Sequence, residues 1–243
     1  MSLAGALQQP IQTVVGGDIQ TVCIYHTDSM NVKRSATGGA RSTAGAGTPK
    51  AERSEATRAA LIATAYELFA DRGYAGVGTE EIVRATGVTR GALYHHFSGK
   101  RELFQAVYEE VERQLVEQIA TSAIATAGDP LQALHAGAEA FLDASEDPAV
   151  QRIALVDAPS VLGWEQWRAI GLQYGFGLVQ GTVQAAMDAG LIDRQPVRPL
   201  AHLLLGAIDE GAMLVARADD GGETRRQVGA SIARFLEALR PRG

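Results

Sequence analysis

The sequence predicts an all-α protein of about nine helices, and two observations support this fold class. From Ser54 onward, Leu61, Ala65, Leu68 and Phe69 fall on one side of a helix with 3.6 residues per turn. No stretch shows the alternation of apolar and polar residues that is typical of a half-buried strand. Breaks rich in glycine, proline and aspartate separate the later helical segments, at residues 128–130, 146–148, 158–159, 190–199 and 219–222.

The first four helices have clear start and stop signals. Gly73 ends the first helix. Thr79 is predicted to be the N-cap of a short second helix, which stops at Gly87. Thr89 is the predicted N-cap of a third helix, and Ser98 that of a long fourth helix. The fourth helix has a buried side that we expect to consist of Leu103, Phe104, Val107, Val111, Leu115 and Ile119.

Residues 1–50 differ in composition from the rest and predict a disordered extension. The segment RSATGGARSTAGAGTPK is rich in small and polar residues, so it cannot bury enough apolar surface to offset its ordering entropy. The stretches IQTVV and QTVCIY contain strand-forming residues, but we identify no neighbouring strand with which they would pair. Met30 is an alternative start of the chain.

The composition indicates a folded chain in a reducing compartment. The 243 residues are 46% hydrophobic and 21% charged, an ordinary balance for a globular protein. The one cysteine, Cys23, excludes an internal disulfide and favours a cytoplasmic location. We expect no membrane span, because no run of about eighteen apolar residues occurs. We also expect no signal peptide, because a basic start followed by a long apolar core is missing.

The charge distribution singles out one part of the chain. A formal net charge of −6 excludes a uniformly basic nucleic-acid binder. It does not exclude a local basic face, because the electric field that a partner meets is local. Residues 82–101 carry Arg84, Arg90, Lys100 and Arg101 and no acidic residue. This stretch is therefore the candidate for contact with a polyanion.

The second and third helices follow the helix-turn-helix plan, with a glycine-containing turn between two short helices. Gly87 lies where the turn requires a left-handed backbone, and Ile82 and Leu93 supply apolar contacts that fix the angle between the helices. The outer tip of the third helix combines hydrogen-bond donors with small residues, namely Thr89, Arg90, Gly91 and Ala92. Such a tip suits a DNA major groove about 12 Å wide.

The segment LFADRGYAGVGTEEIVRATGVTRGALYHHFSGKRELFQAV, within residues 54–111, resembles the TetR family of one-component transcriptional regulators. The elements Gly-Val-Thr, Leu-Tyr-His-His-Phe and Lys-x-x-Leu occur with the spacing of that family. The resemblance implies a DNA-binding surface formed by Thr79, Thr89, Arg90, Gly91, Ala92, Tyr94, His95 and Lys100. It also implies three regions: the extension at 1–50, a DNA-binding domain at 51–100, and a ligand-binding and dimerisation domain at 101–243.

Within this surface we expect different roles. Arg90 is the candidate for base readout, because a guanidinium can bond a guanine bidentately. The resemblance assigns phosphate contacts to the residues with the remaining polar tips, namely Thr79, Tyr94, His95 and Lys100. Phe97 has no polar tip and is predicted to be a core residue. His95 and His96 point to different helix faces, so we predict no metal site there.

The resemblance places a ligand pocket in the second half of the chain, where apolar walls would carry a few polar groups. The candidates are Phe141, Trp164, Trp167, Tyr174, Phe176, His135 and Met213. For each aromatic residue, plain core packing remains an open alternative. Gly171, Gly175, Gly177 and Gly181 lie in one predicted helix, where each costs about 1 kcal/mol against alanine. That cost indicates either close helix approach or room for a ligand.

The last two predicted helices, at about 198–218 and 223–240, are the candidates for dimerisation. A helix that is apolar on most sides must be buried on most sides. The resemblance implies that these helices form a four-helix bundle across a two-fold axis, with an interface of Leu205, Ile208, Ala212, Val215, Ile232, Phe235 and Leu239. Packing within one protomer is the alternative.

Together these features predict a cytoplasmic, homodimeric transcriptional regulator that binds a pseudo-palindromic operator in double-stranded DNA. The resemblance favours a repressor that responds to a small apolar or amphipathic ligand. The alternative is an architectural or activator protein without a small-molecule inducer. We predict no enzymatic activity and no cofactor, because the chain has no Gly-x-Ser-x-Gly, phosphate-loop, Cys-x-x-Cys or His-Glu-x-x-His motif. No membrane partner is expected.

Overall fold

The computed structural model describes residues 13–15, 18–20, 49–126 and 128–241, and the chain divides into two units, Met1–Ala46 and Gly47–Gly243. In the first unit, strands β1 (Thr13–Val15) and β2 (Asp18–Gln20) pair antiparallel. Strand β1 lies within the stretch IQTVV, and β2 shares only Gln20 with the stretch QTVCIY. The prediction of a disordered extension over residues 1–50 stays a prediction. The Gly-Gly pair between the two strands in the sequence is favoured in two-residue hairpins. Cys23 and Met30 lie outside the described residues.

In the second unit the described residues form helices joined by short connections. These are α1 (Pro49–Arg72), α2 (Thr79–Thr86), α3 (Arg90–His96), α4 (Lys100–Thr126), α5 (Pro130–Ala144), α6 (Pro148–Val150), a π-helical segment (Gln151–Asp157), α7 (Ala158–Leu162), α8 (Trp164–Asp188), α9 (Val197–Ala216) and α10 (Gly221–Glu237). Helix α6, the π-helical segment and α7 follow one another without a break, so the described chain contains nine helical runs. The all-α prediction is confirmed for this unit.

Helices α1, α2 and α3 form a compact head with its own apolar core. The head packs onto the start of α4 through side chains that are almost fully buried, namely Leu61, Ala65, Phe69, Val77, Ile82, Leu93, Phe97 and Phe104. Phe97 is thus a core residue, as predicted. The rings of Phe69 and Tyr74 lie 5.3 and 5.1 Å from that of Phe104, both edge to face, which fastens the end of α1 to α4.

Two glycines set the geometry of the head, as the sequence predicts. Gly73 ends α1 with φ 72° and Gly87 ends α2 with φ 76°, a left-handed conformation that other residues rarely adopt. The N–H of Gly87 donates to the carbonyls of Val83 and Arg84, which satisfies the last turn of α2. The turn between α2 and α3 is therefore held by backbone hydrogen bonds.

The predicted cap of α2 is off by one residue. Gly78 is the N-cap, with an extended backbone, and its carbonyl accepts from the N–H of Ile82 at 3.2 Å. Thr79 is the first helical residue and makes no capping hydrogen bond. The cap of α3 is confirmed, because the Thr89 hydroxyl accepts from the N–H of Ala92 at 3.1 Å.

Helix α4 begins two residues after Ser98, which was the predicted N-cap. The Gly99 carbonyl accepts from the N–H of Leu103 at 3.1 Å, so the helical hydrogen bonds start at Gly99. Ser98 still contributes, because its N–H donates to the Glu102 carboxylate at 2.6 Å. The predicted buried side of α4 is confirmed, with exposures from 0% to 9% at Leu103, Phe104, Val107, Val111, Leu115 and Ile119.

Helices α5 to α10 form a helical body around the second half of α4. Arg225 on α10 is buried and binds the carboxylates of Glu139 and Asp143 on α5, which joins these helices. Helix α9 has the length and composition of a membrane span. It also carries Asp209 and packs against α8 and α10, as a core helix of a helical bundle does.

Candidate nucleic-acid interface and internal cavity

The tip of α3 is open to solvent. Thr89, Arg90 and Gly91 are exposed and Ala92 is half-buried, while Leu93 anchors the helix in the core. A Cβ placed on Gly91 would meet only the Thr89 hydroxyl, at 3.9 Å, so nothing within the protomer requires glycine there. The small residue instead leaves the outer face of the helix free for the close approach of another molecule.

Arg90 projects from this tip with two loose partners. Its guanidinium carbon lies 5.5 Å from the centroid of the Tyr94 ring. One guanidinium nitrogen lies 3.5 Å from the Glu80 carboxylate, and the two side chains are 69% and 83% exposed. An ion pair this exposed is worth about 0–1 kcal/mol. Arg90 therefore has a defined orientation, and its weak contacts can be replaced by contacts with another molecule.

The other predicted contacts on α3 lie on the same exposed side. Tyr94 is 44% exposed and His95 is also exposed, whereas His96 is half-buried with its ring 5.2 Å from that of His95. Thr79 is half-buried at the start of α2. Among the residues that the structure describes, no group of three His, Cys, Asp or Glu side chains could hold a metal ion.

The basic residues at the start of α4 behave differently from each other. The Lys100 ammonium lies 4.0 Å from the centroid of the Tyr74 ring. Burial lowers the pKa of Lys100, and the nearby Asp157 carboxylate opposes that shift. Arg101 donates instead to the carbonyls of Val161 and Leu162 at 3.2 and 3.0 Å. Arg101 therefore joins α4 to the end of α7 and is not free for a polyanion, unlike the exposed part of the basic stretch.

The body encloses a cavity of about 90 Å³ between α4, α5, the π-helical segment, α8 and α9. Its walls are mainly apolar, with Leu115, Val116, Ile119, Ala123, Leu134, Phe141, Leu155, Leu178, Val179, Leu205 and Ile208. Gly171 and Gly175 also line it, and a Cβ at either would have its nearest contact at 3.8 Å. These two glycines therefore leave room in the cavity wall, and no tight helix crossing demands them.

Two of the seven predicted pocket residues, Phe141 and Trp167, line this cavity. The predicted residues that lie elsewhere are His135, Trp164, Tyr174, Phe176 and Met213. On α8 the cavity-lining positions 167, 171, 175, 178 and 182 follow one helical stripe, position 174 lies at its edge, and position 176 lies on the opposite side of the helix. Phe176 packs on His202, with ring centroids 4.3 Å apart, and Trp164 is 60% exposed. Met213 on α9 is buried beyond the cavity.

The cavity also contains charged groups that the sequence analysis did not select. Arg168 and Asp209 form an ion pair there, and Glu112 lies beside Tyr108, whose hydroxyl donates to the Trp167 carbonyl at 3.4 Å. Burial raises the pKa of Glu112 to about 7 and that of Asp209 to about 6. One sequence signal would have found Glu112, because it falls between Val111 and Leu115 on the buried side of α4.

The remaining polar atoms of the wall are occupied by backbone carbonyls. The indole N–H of Trp167 donates to the Ala154 carbonyl at 2.9 Å. The hydroxyl of Ser145 donates to the Phe141 carbonyl at 2.7 Å, and that of Thr182 donates to its own helix. The donors of these side chains are therefore used within the protein, and the Glu112 carboxylate is an acceptor at the cavity that no described ion pair engages.

The π-helical segment connects the cavity with the head. Ala154 and Leu155 on this segment line the cavity. On the same segment, the Asp157 carboxylate accepts from the N–H of Tyr74 at 2.6 Å, and the Arg152 guanidinium donates to the Asp71 carbonyl. The segment therefore touches the cavity and the turn after α1 at once.

The predicted dimer residues mostly face inward. Leu205, Ile208, Ala212, Val215 and Ile232 are at most 9% exposed within one protomer, so as interface residues they are corrected to core residues. They lie on the side of α9 and α10 that packs on the body. Phe235 is 42% exposed and Leu239 is half-buried. The large exposed apolar side chains that the prediction missed on α9 are Leu203 and Leu214, at 66% and 56%.

Comparison with known proteins gives concordant results for both parts of the second unit. The family described as "Bacterial regulatory proteins, tetR family" matches residues 61–107, and "Tetracyclin repressor-like, C-terminal domain" matches residues 131–239. The Transposon Tn10 TetC protein of Escherichia coli is 30% identical over 155 residues, which cover 64% of this chain and 78% of that protein.

A second relative and a solved structure extend this result. The HTH-type transcriptional activator FasR of Mycolicibacterium smegmatis is 42% identical over 86 residues, and the match spans only 39% of its length. The crystal structure of a TetR-family transcriptional regulator from Pectobacterium atrosepticum superposes with a TM-score of 0.70 at 30% identity, covering 79% of this chain and 97% of that one.

Proposed function

The chain belongs to the TetR family of transcriptional regulators, and on this premise we propose that it is a cytoplasmic, homodimeric, ligand-responsive repressor of a pseudo-palindromic operator. The observation that carries the proposal is the exposed tip of α3. Thr89, Arg90 and Gly91 are exposed on a head whose apolar core is buried. Because the helix that carries them is already ordered, its insertion into a DNA groove costs little conformational entropy. The cavity in the body supplies a place for a ligand.

The roles of individual residues follow from their exposure. Arg90 reads a base edge, since its present partners are weak and a bidentate contact with guanine is stronger. Tyr94 and His95 lie one turn further along the exposed side of α3 and meet the DNA backbone. Thr79 and Lys100 lie at the starts of α2 and α4, where helix amides also favour phosphate.

Dimerisation uses the outer faces of α9 and α10. Leu203, Leu214 and Phe235 are large apolar side chains left exposed on these neighbouring helices. On α9, Leu203, Ala207 and Leu214 form an apolar strip along one side of the helix, and the exposed Glu210 lies on the same side. An apolar strip of this kind favours a second copy of the chain, and two heads about one DNA turn apart then match a palindrome.

The π-helical segment couples the ligand to DNA binding. A molecule in the cavity presses on Ala154 and Leu155, and the same segment holds the turn after α1 through Arg152 and Asp157. A small shift of this segment therefore tilts the head on α4. The ligand shifts the population between a DNA-binding and a released state by its difference in affinity for the two.

Selection of bound duplexes from a random DNA pool tests the proposal. We expect a recovered palindrome, and a preference over random DNA of about 10³ or more at physiological salt. Arg90→Ala should then weaken binding to the selected site by about 1–3 kcal/mol and relax the preference at one position of each half-site. Arg226→Ala, a change of an exposed arginine on α10, is the matched control and should bind as the parent does. An Arg90→Ala variant with parental affinity would contradict the base-reading role.

One relative favours a second candidate function. FasR is named a transcriptional activator and is 42% identical over its matched part. In vitro transcription from a promoter that carries the selected operator separates the two modes. A repressor lowers the transcript yield as protein is added, and an activator raises it. An architectural protein would instead show no strong sequence preference in the selection.

A further inference from the structure

We propose that the internal cavity takes a compact, apolar ligand that carries one positively charged nitrogen, and that the Glu112 carboxylate binds this nitrogen. The inference rests on the proposed ligand response and names the chemical class of the ligand. It follows from the walls of the cavity, from the balance of its charges and from the hydrogen bonds that its polar groups already make.

The walls select an apolar body. Along α4, α5, α8 and α9 the cavity is lined by aliphatic side chains and by the ring of Phe141, and Gly171 and Gly175 widen it. A ligand that fills this space exchanges water contact for contact with apolar atoms, which stabilises the complex by about 25 cal/mol per Å² of buried apolar surface. Because the donors of Ser145, Thr182 and Trp167 are engaged with backbone carbonyls, a polyhydroxylated ligand would find few partners.

The charges select a cation. Arg168 and Asp209 form an ion pair, so their charges offset each other. Glu112 forms no ion pair with any described residue, and its neighbour Tyr108 carries a neutral hydroxyl. The ionised cavity therefore carries one carboxylate in excess. An anionic ligand would be repelled by Glu112 and would have to displace Asp209 from Arg168.

The environment of Glu112 agrees with this choice. The charged and titratable groups around it are Tyr108 on α4, Asp209 on α9, and Tyr174 and Arg168 on α8. Burial and the neighbouring Asp209 disfavour the ionised form of Glu112, so the empty cavity holds this carboxyl partly protonated near neutral pH. A cationic nitrogen within hydrogen-bond reach would restore the ionised form and would make a charge-assisted hydrogen bond in a site with little water.

Three naphthalene probes that differ in charge test the inference. They are 1-naphthylmethylamine, which is a cation near pH 8, 1-naphthalenemethanol, which is neutral, and 1-naphthoic acid, which is an anion. Binding to the full chain without DNA is measured by calorimetry at about pH 8, where Glu112 is ionised. We expect the amine to bind about tenfold to a hundredfold more tightly than the alcohol, and the acid to bind most weakly.

The substitution Glu112→Gln keeps the size of the side chain and removes its charge. We expect this variant to lose the preference for the amine while it binds the alcohol as the parent does. The retained affinity for the alcohol shows that the cavity is still formed. Glu117→Gln, an exposed carboxylate on the same helix, is the matched control and should keep the preference.

Several results would overturn the inference. They are equal affinities of the parent for amine and alcohol, a preference for the acid, a preference for the amine that survives in Glu112→Gln, or no saturable binding of either 1-naphthylmethylamine or the smaller benzylamine up to millimolar concentration. Failure of the proposed function gives a different result. In that case the amine binds through Glu112, but the chain selects no operator, or the amine does not change the affinity for the operator.

Discussion

Glu112 lies on the buried side of α4, among Tyr108, Leu115 and Ile119. Its carboxylate faces the cavity beside Tyr108 and has no ionic partner among the described residues, whereas the neighbouring Asp209 on α9 is paired with Arg168. Both acids have a raised pKa, because burial disfavours their charge. Removal of the Glu112 charge and removal of the Asp209 charge should therefore change the free energy of unfolding in opposite directions.

The free energy of unfolding should respond to Glu112 in a pH-dependent way. The pKa of Glu112 is raised from 4.5 to about 7 in the folded chain, so the folded state binds more protons than the unfolded state between these values. Stability from this group is therefore highest below about pH 4.5 and falls as the pH rises to about 7. The substitution Glu112→Gln removes the titrating group and with it this loss of stability at higher pH. We expect it to raise the free energy of unfolding by about 1–3 kcal/mol near pH 8.

Denaturant titration at about pH 8 and about pH 5 measures this effect, which should shrink greatly at the lower pH. Asp209→Asn is the instructive comparison, because it leaves Arg168 half-buried without its ionic partner. We expect this variant to be less stable than the parent by about 3 kcal/mol near neutral pH. A Glu112→Gln variant that is less stable than the parent at both pH values would show that its charge is not strained by burial.

The sequence was sufficient to predict residues whose role depends on local structure. Gly87 has the predicted left-handed backbone, Thr89 caps α3, and Phe97 is buried. The roles of Gly87 and Thr89 depend on neighbours within a few residues along the chain, and that of Phe97 follows from its lack of any polar atom in the side chain. The misplaced cap at Thr79 shows the limit of such reasoning, because Gly78 and Thr79 are both acceptable caps and tertiary packing selects between them.

The sequence was less informative about long apolar helices. Helices α8 and α9 are apolar on several sides, so their composition does not identify the side that faces the cavity. Tyr174 and Phe176 were selected as aromatic residues, but the stripe through Gly171 and Gly175 lines the cavity instead. On α9, Leu205 and Ile208 face inward and Leu203 faces solvent. Which side of each helix faces inward depends on contacts between helices that are distant in sequence, and no local sequence pattern encodes these contacts.

The π-helical segment also had no signal in the sequence, although it forms the connection between cavity and head. A π-helical turn is rare and is often found at functional positions. Here it follows α6 directly and continues into α7, so the helical run from 148 to 162 changes its winding where it passes the cavity. The altered winding places Ala154 toward the cavity and Asp157 toward the turn after α1.

Removal of the Asp157 contact should uncouple the ligand from DNA. Asp157→Ala takes away the acceptor for the N–H of Tyr74, and a head held less firmly by the π-helical segment follows its movements less closely. We expect 1-naphthylmethylamine to bind the variant as it binds the parent. In the parent we expect the amine to change the free energy of operator binding by about 1–3 kcal/mol, the usual size of an allosteric coupling. In Asp157→Ala we expect this change to fall toward zero.

Operator affinity with and without the amine measures this coupling, and calorimetry measures the binding of the amine itself. Asp188→Ala, which removes an exposed carboxylate near the end of α8, is the control and should keep the parental coupling. Equal coupling in Asp157→Ala and the parent would exclude Asp157 as part of the connection.

At the scale of the whole second unit, α4 links the two functional parts. Phe104 on this helix is buried against the head, and Ile119 lines the cavity fifteen residues later, about 22 Å along the axis at 1.5 Å per residue. The Arg101 contacts with the end of α7 brace the same helix near the head. Helix α4 thus connects the cavity with the head that we propose to bind DNA. The π-helical segment makes a second connection between the cavity and the head.

The proposed dimer makes its own prediction at this scale. Leu214→Asp places a charge in the exposed apolar strip of α9, where burial in an interface would cost several kcal/mol. We expect the variant to be monomeric by sedimentation and to bind the selected palindrome at least about a hundredfold more weakly, because a single head contacts one half-site. Its stability should change little from that of an unpaired parental protomer, because the Leu214 side chain is already 56% exposed within the protomer.

The matched control is Val156→Asp, a charge placed at an apolar side chain that is 50% exposed but lies on the π-helical segment, outside the strip of Leu203, Ala207 and Leu214. We expect this variant to remain dimeric, because the position lies outside the proposed interface. A parental chain that sediments as a monomer at micromolar concentration would contradict the proposed dimer. A Leu214→Asp variant that stays dimeric would show that the interface lies on another face of the protein. An unpaired carboxylate cannot be buried in an apolar interface without a large loss of dimer affinity.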